Sequence, residues 1–189
     1  MLNICSKQAE CLDLKFNVVK SAMMRIGNRF NTKCCGVVLD GQTLPYVEEI
    51  KYFGIFIKKG RCFNRSFSSS KIKFYRCFNA IYRKASYASE DVIINLFKSY
   101  CLPIITYACE AVLPNKPDIK SLNKLISIAF YKIFHTYDTD LINAARLHFG
   151  LCDIADILNI RYNRFLIRYY NKSLPFASVI KSMNSNHVK

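Results

Sequence analysis

The chain has 189 residues, 51% hydrophobic and 14% aromatic, which is too apolar for a disordered tail and long enough for one domain with a core or a small domain leaning on a larger one. Its 28 lysines and arginines against 13 acids leave a formal charge of +15, so nucleic acid is the leading partner through counterion release, with an anionic membrane surface as the rival. The nine cysteines include no CxxC pair and the three histidines are scattered, which argues against a zinc site.

Residues 1 to 15 predict a short amphipathic helix with Leu2, Cys5, Ala9 and Leu12 near one face and Asn17 ending it. Lys7 and Glu10 interrupt the apolar core that a signal peptide needs, and an odd cysteine count fits a reducing, intracellular compartment. A strand is expected around residues 22 to 26, followed by a turn at Gly27-Asn28. Val37 to Leu39, Asp40-Gly41 and Thr43-Leu44 read as a tight hairpin, because Asp-Gly supplies the positive φ angles that such turns need. Tyr52 to Ile57 reads as one further strand, completing a small antiparallel sheet.

Beyond Gly60 the period becomes helical. At about 100° per residue, Phe67, Phe74, Phe78, Ile81 and Ala85 fall in one arc and Lys73, Arg76, Arg83 and Lys84 in another, a core face and a cationic face. Ser89 with Glu90 and Asp91 predicts a hydroxyl-capped helix start, and Pro103 a kink or an end. The stretch 92 to 113 is broken by Lys98, Pro103 and Glu110, so it does not read as a membrane span.

Pro114 to Pro117 reads as a loop, from which Asp118 leads a helix through Leu122, Leu125, Ile126, Ala129 and Ile133. Another helix is expected from about Asp138 to Phe149, ended by Gly150. The last starts near Asp153 and buries Ile154, Ile157, Leu158, Phe165 and Tyr169, while Arg161, Arg164, Arg168 and Lys172 form a second basic stripe. From Ser173 the pattern fades into a Ser/Asn-rich tail. The fold class is α+β: a small antiparallel sheet over about 22–57, then a mostly helical bundle, with regions 1–60, 61–172 and 173–189.

The acids are dispersed. Glu48-Glu49 falls between two strands, and Glu90-Asp91 and Asp138/Asp140 look like helix starts, so none promises the converging carboxylates of two-metal chemistry. No phosphate-binding glycine loop occurs. Binding remains, carried by the two cationic faces and by aromatics beside cations, as in Lys73-Phe74-Tyr75-Arg76 and Arg161-Tyr162.

Three segments in order, Leu12 to Ser21, Leu44 to Ile55 and Lys98 to Glu110, resemble the C-terminal part of a non-LTR, LINE-type retrotransposon reverse transcriptase. Residues 12 to 21, containing Asn17-Val18-Val19-Lys20-Ser21, are similar to the N-x-x-K-[ST] strand that follows that family's catalytic aspartate pair. Residues 44 to 55, with Lys51-Tyr52-Phe53-Gly54, are similar to its K-Y-L-G primer grip, with Phe53 in place of Leu. Lys98-Ser99-Tyr100-Cys101-Leu102-Pro103-Ile104 through Tyr107 and Glu110 looks like its thumb motif K-S-x-C-L-P-I-L-L-Y-G-x-E, with Ala108 in place of glycine. Phe74-Tyr75-Arg76 with Asn79-Ala80-Ile81 fits the first thumb helix.

The resemblance implies an RNA-directed DNA polymerase with a hand of fingers, palm and thumb. Lys20 would lie near the incoming nucleotide as a proton donor to pyrophosphate, Tyr52, Phe53 and Gly54 would pack against the primer end, and the thumb helices would track the template-primer. The family's catalytic aspartates are missing, so a fragment without polymerase activity is expected. It would bind template-primer or an RNA–DNA hybrid and lean on the missing fingers and palm. No cofactor is expected in this chain, magnesium belonging only to an intact family member. The alternative is a stand-alone basic module that binds nucleic acid or a protein without catalysis.

Overall fold

A computed structural model describes residues 2–32, 34–151 and 153–171. The chain is α+β, with helices and two small antiparallel sheets. It divides into two compact units between Phe67 and Ser68, beyond the expected boundary at Gly60, because residues 64–66 still pair into the sheet of the first unit.

In the first unit, helix α1 covers Leu2–Glu10 and buries none of its residues. It ends well before Asn17: Asp13 takes φ +56° and the Leu14 amide donates to the Ala9 carbonyl at 2.9 Å, closing the chain out of the helix. Asn17 instead opens a single 3-10 turn, Val18–Lys20, accepting from the Lys20 amide at 3.0 Å, while the Ser21 hydroxyl donates to the Asn17 carbonyl at 2.8 Å. The Asn-x-x-Lys-Ser segment is therefore a self-capped turn and not a strand; short polar side chains satisfy the backbone locally. The segment expected as a strand at 22–26 is extended but pairs only through isolated bridges, Met23 with Tyr46 and Ile26 with Gly60, before Gly27 turns at φ +124°.

The Asp-Gly hairpin forms as expected, with β1 Val38–Leu39 paired to β2 Gln42–Thr43 and both turn residues left-handed, Asp40 at φ +48° and Gly41 at φ +78°. The single strand expected over 52–57 is instead two. Strands β3 Glu49–Tyr52 and β4 Ile55–Lys58 are antiparallel with Tyr52 opposite Ile55, so Phe53-Gly54 is itself a two-residue hairpin turn. An unforeseen β5, Asn64–Ser66, extends the sheet to the order β3-β4-β5. Glu49 accordingly lies in β3 and not in a connection. Buried apolar residues of this unit are few: Leu39, Leu44, Ile55 and Phe67.

The second unit has a closed core. Helix α2, Ser68–Lys84, buries Phe74 and Phe78. Helix α3, Glu90–Leu96, runs through a π-helical turn, Phe97–Cys101, into α4, Leu102–Thr106. Proline lacks an amide and crowds the carbonyl four residues back. The wider turn, in which the Leu102 amide reaches the Phe97 carbonyl, lets the helix carry Pro103 past the point where an end was expected. Ser89 stands at the N-cap of α3, but its hydroxyl makes no capping bond. Helix α5, Lys116–Phe134, starts on Asn115, which accepts from the Asp118 amide at 2.9 Å, and stops at left-handed His135. Asp138 caps α6, Thr139–His148, and Gly150 at φ +63° ends it.

Helix α7, Ile154–Asn171, starts after Asp153, which accepts from the Ala155 amide at 2.8 Å. The core is aromatic. Phe97 meets Phe74, Phe78 and Phe130 edge to face at centroid distances of 5.8, 6.1 and 6.1 Å, a geometry that adds to the roughly 1.5–3 kcal/mol gained by burying each such ring. Phe165, expected in this core, is 40% exposed. No described helix is long and apolar enough to cross a membrane. Lys172 and the Ser/Asn-rich tail lie outside the described residues.

Candidate nucleic-acid interface

The helical period placed the cations of α2 away from Phe74 and Phe78, and Lys73, Arg76, Arg83 and Lys84 are exposed. None of the four forms an ion pair among the described residues. Two other lysines are tied down. Lys71 Nζ donates to Ser121 Oγ at 2.6 Å, and Lys132 Nζ donates to Asn79 Oδ1 at 3.1 Å while lying 4.8 Å from the Tyr82 ring. The cations of this region therefore divide by chemistry: Lys71 and Lys132 connect α2 to α5, and the four others face solvent as an uncompensated stripe.

The stripe on α7 is organised differently. Arg161 Nε donates to Glu110 Oε1 at 2.5 Å and its Nη1 to the buried Thr106 hydroxyl at 2.7 Å, which itself donates to the Leu102 carbonyl at 3.0 Å. Charge-assisted bonds of this kind hold a guanidinium in one orientation. Arg161 is thus a fixed wall of a cleft of about 360 Å³ also lined by Ala108, Ala111, Arg164, Phe165 and Arg168. Arg164 and Arg168 are exposed and flank the half-exposed Phe165, which leans on Tyr169 at 6.1 Å between ring centroids. Periodicity could not show that Arg161 is countercharged, because its partner is 51 residues away.

In the first unit Lys20 is exposed at the end of its 3-10 turn. Tyr52, Phe53 and Gly54 form the tip of the β3–β4 hairpin. Phe53 sits at φ +44° and Gly54 at φ +80°, the two-residue arrangement that favours Asn-Gly or Asp-Gly. An aromatic residue there bears about 1–2 kcal/mol of backbone strain, and Phe53 is nonetheless 76% exposed, packed edge-on against Tyr52 at 4.5 Å. No protein-family model, curated protein or solved structure matches the chain.

Several acids have structural partners. Glu48 pairs with Lys59, whose ammonium holds the Glu48 carboxyl below the usual carboxylate range. Asp138 and Asp153 cap helices, and the Asn123 amide donates to Asp153 at 2.9 Å and lowers its carboxyl likewise. Among the described residues no three histidine, cysteine, aspartate or glutamate side chains converge as a metal site.

Proposed function

We propose that the chain is the template-primer-gripping part of a LINE-type reverse transcriptase, binding nucleic acid without catalysing polymerisation by itself. The hairpin tip at Phe53-Gly54 carries the reading. The segment that resembles the primer grip places an aromatic ring in solvent on a backbone conformation that costs free energy, a combination that a merely structural turn has no reason to keep. Tyr52 and Phe53 of the first unit offer flat faces to a primer end; in the second unit, taken by itself, Lys73, Arg76, Arg83 and Lys84 offer charge to nucleic-acid phosphates.

The first unit adds support of another kind. Leu12, Leu14, Val38, Tyr52, Phe53 and Phe63 all leave half or more of their surface exposed, so this unit lacks the closed core of an independent domain and suits one completed by further fingers and palm. The closed aromatic core of the second unit favours the other reading for that unit alone, a basic helical module that binds nucleic acid without a polymerase around it.

The test is the affinity of the purified chain for an RNA–DNA hybrid, a DNA duplex and acidic lipid vesicles over a salt series. Hybrid binding with a steep salt dependence, and no nucleotide incorporation, is the expected result. Preference for vesicles, or no binding to either nucleic acid, overturns the proposal.

A further inference from the structure

Cys77 on α2 and Cys101 at the end of the π-helical turn face each other with their sulfurs 3.7 Å apart. Both are free thiols, Cys101 buried and Cys77 partly accessible. Packing brings the two together; a third interior thiol, Cys109, donates to the Ile105 carbonyl at 3.5 Å. A disulfide needs sulfurs at about 2.0 Å, and these two thiols already touch.

We infer that Cys77 and Cys101 are an oxidisable dithiol, a modification site at which hydrogen peroxide joins α2 to the π-helical turn by a disulfide. Access orders the steps. Burial, and then the neighbouring Cys77, push the Cys101 thiol well above its ordinary pKa, so the accessible Cys77 reacts first. Its thiolate attacks one peroxide oxygen, the O–O bond breaks and hydroxide leaves, giving a sulfenic acid and, after protonation, one water. The Cys101 sulfur then attacks the Cys77 sulfur, the S–O bond breaks, and the Cys101 proton departs with the second water. Two thiols are oxidised, and one peroxide is reduced to two waters.

The pairing is independent of any nucleic-acid reading and has a structural consequence. The crosslink spans residues 24 apart and fastens the helix that carries Lys73, Arg76, Arg83 and Lys84 to its neighbour, removing conformational freedom from the unfolded chain.

The full chain, treated with hydrogen peroxide and digested after alkylation, is expected to yield a peptide linking Cys77 to Cys101, with a mass lower by two hydrogens and reverted by dithiothreitol. The thermal midpoint of the oxidised protein should rise by several degrees and return on reduction. Cys77→Ser should leave Cys101 alkylatable after unfolding. Oxidation of Cys77 to its sulfinic acid with Cys101 still a thiol, or Cys101 linked to any other cysteine, overturns the inference. A second chain with Cys5, Cys11, Cys34, Cys35, Cys62 and Cys152 changed to serine separates the pair from competing exchange: loss of the 77–101 linkage there also overturns it.

Discussion

Removing the charge of Lys73, Arg76 and Arg83 together (K73Q/R76Q/R83Q) tests whether the exposed face of α2 meets a nucleic-acid backbone. At about 1.5 Å rise per residue, the helix sets Lys73 and Arg83 roughly 15 Å apart, against about 3.4 Å of axis per phosphate on one strand, so the three side chains can reach separate phosphates. Each phosphate deprived of its cation lowers the slope of log affinity against log salt by about 0.9, hence by roughly 2.7 for three. Between about 50 and 200 mM salt the unaltered chain should then weaken about 40-fold more than the variant. Fluorescence anisotropy with a labelled duplex measures both slopes. Because none of the three is buried, the circular dichroism melt should not move. An unchanged slope in a variant that melts normally removes α2 from the interface.

The remaining predictions concern single side chains. Asn123 Oδ1 accepts from Arg146 Nη2 at 3.2 Å and from the Ile154 amide at 3.1 Å while its amide serves Asp153, so Asn123→Ala should lower stability by about 2–3 kcal/mol at roughly 1 per bond, read by urea denaturation. Since the Asp153 carboxyl is depressed in the fold, its stabilisation is full above the unfolded carboxylate pKa of about 4 and is lost as pH falls through the lower folded value. Asp153→Asn should flatten that part of the acid titration of stability, and an unaltered acid profile would exclude the carboxylate. Glu110→Gln removes the counterion of Arg161 and should tighten duplex binding and steepen its salt slope by up to about 0.9 if the α7 cleft meets phosphate. Phe53→Gly should relax the hairpin by about 1 kcal/mol yet weaken hybrid binding; tighter or equal binding would count against a gripping role for the ring.

The two hairpins show what the residues disclosed and what they concealed. Asp40-Gly41 was legible because both residues tolerate left-handed φ. Phe53 broke that rule, so Tyr52 to Ile57 looked like one strand, although Gly54 inside a β pattern was the available sign of a turn or bulge. Strand β5 is Asn-Arg-Ser, polar enough to resemble a loop, and only its pairing with β4 makes it a strand. The cationic face of α2 followed directly from helical period, as did the buried positions of α5. Phe165 did not, because one helix cannot reveal whether a neighbour covers it. The bonds joining Glu110, Arg161 and Thr106 are tertiary and left no local trace.

The π-helical turn has a consequence for chain length. Buried Ile93, Phe97, Cys101 and Ile105 recur every four residues, whereas an ideal α-helix repeats every 3.6, so an undisturbed helix would let this file of side chains drift steadily around its axis. The wide turn works as a vernier that takes up the surplus. Deleting one residue between Phe97 and Cys101 would be felt as a rotation of about 100° rather than as a shortening, leaving the aromatic layer in place while swinging the Thr106 hydroxyl out from under Arg161.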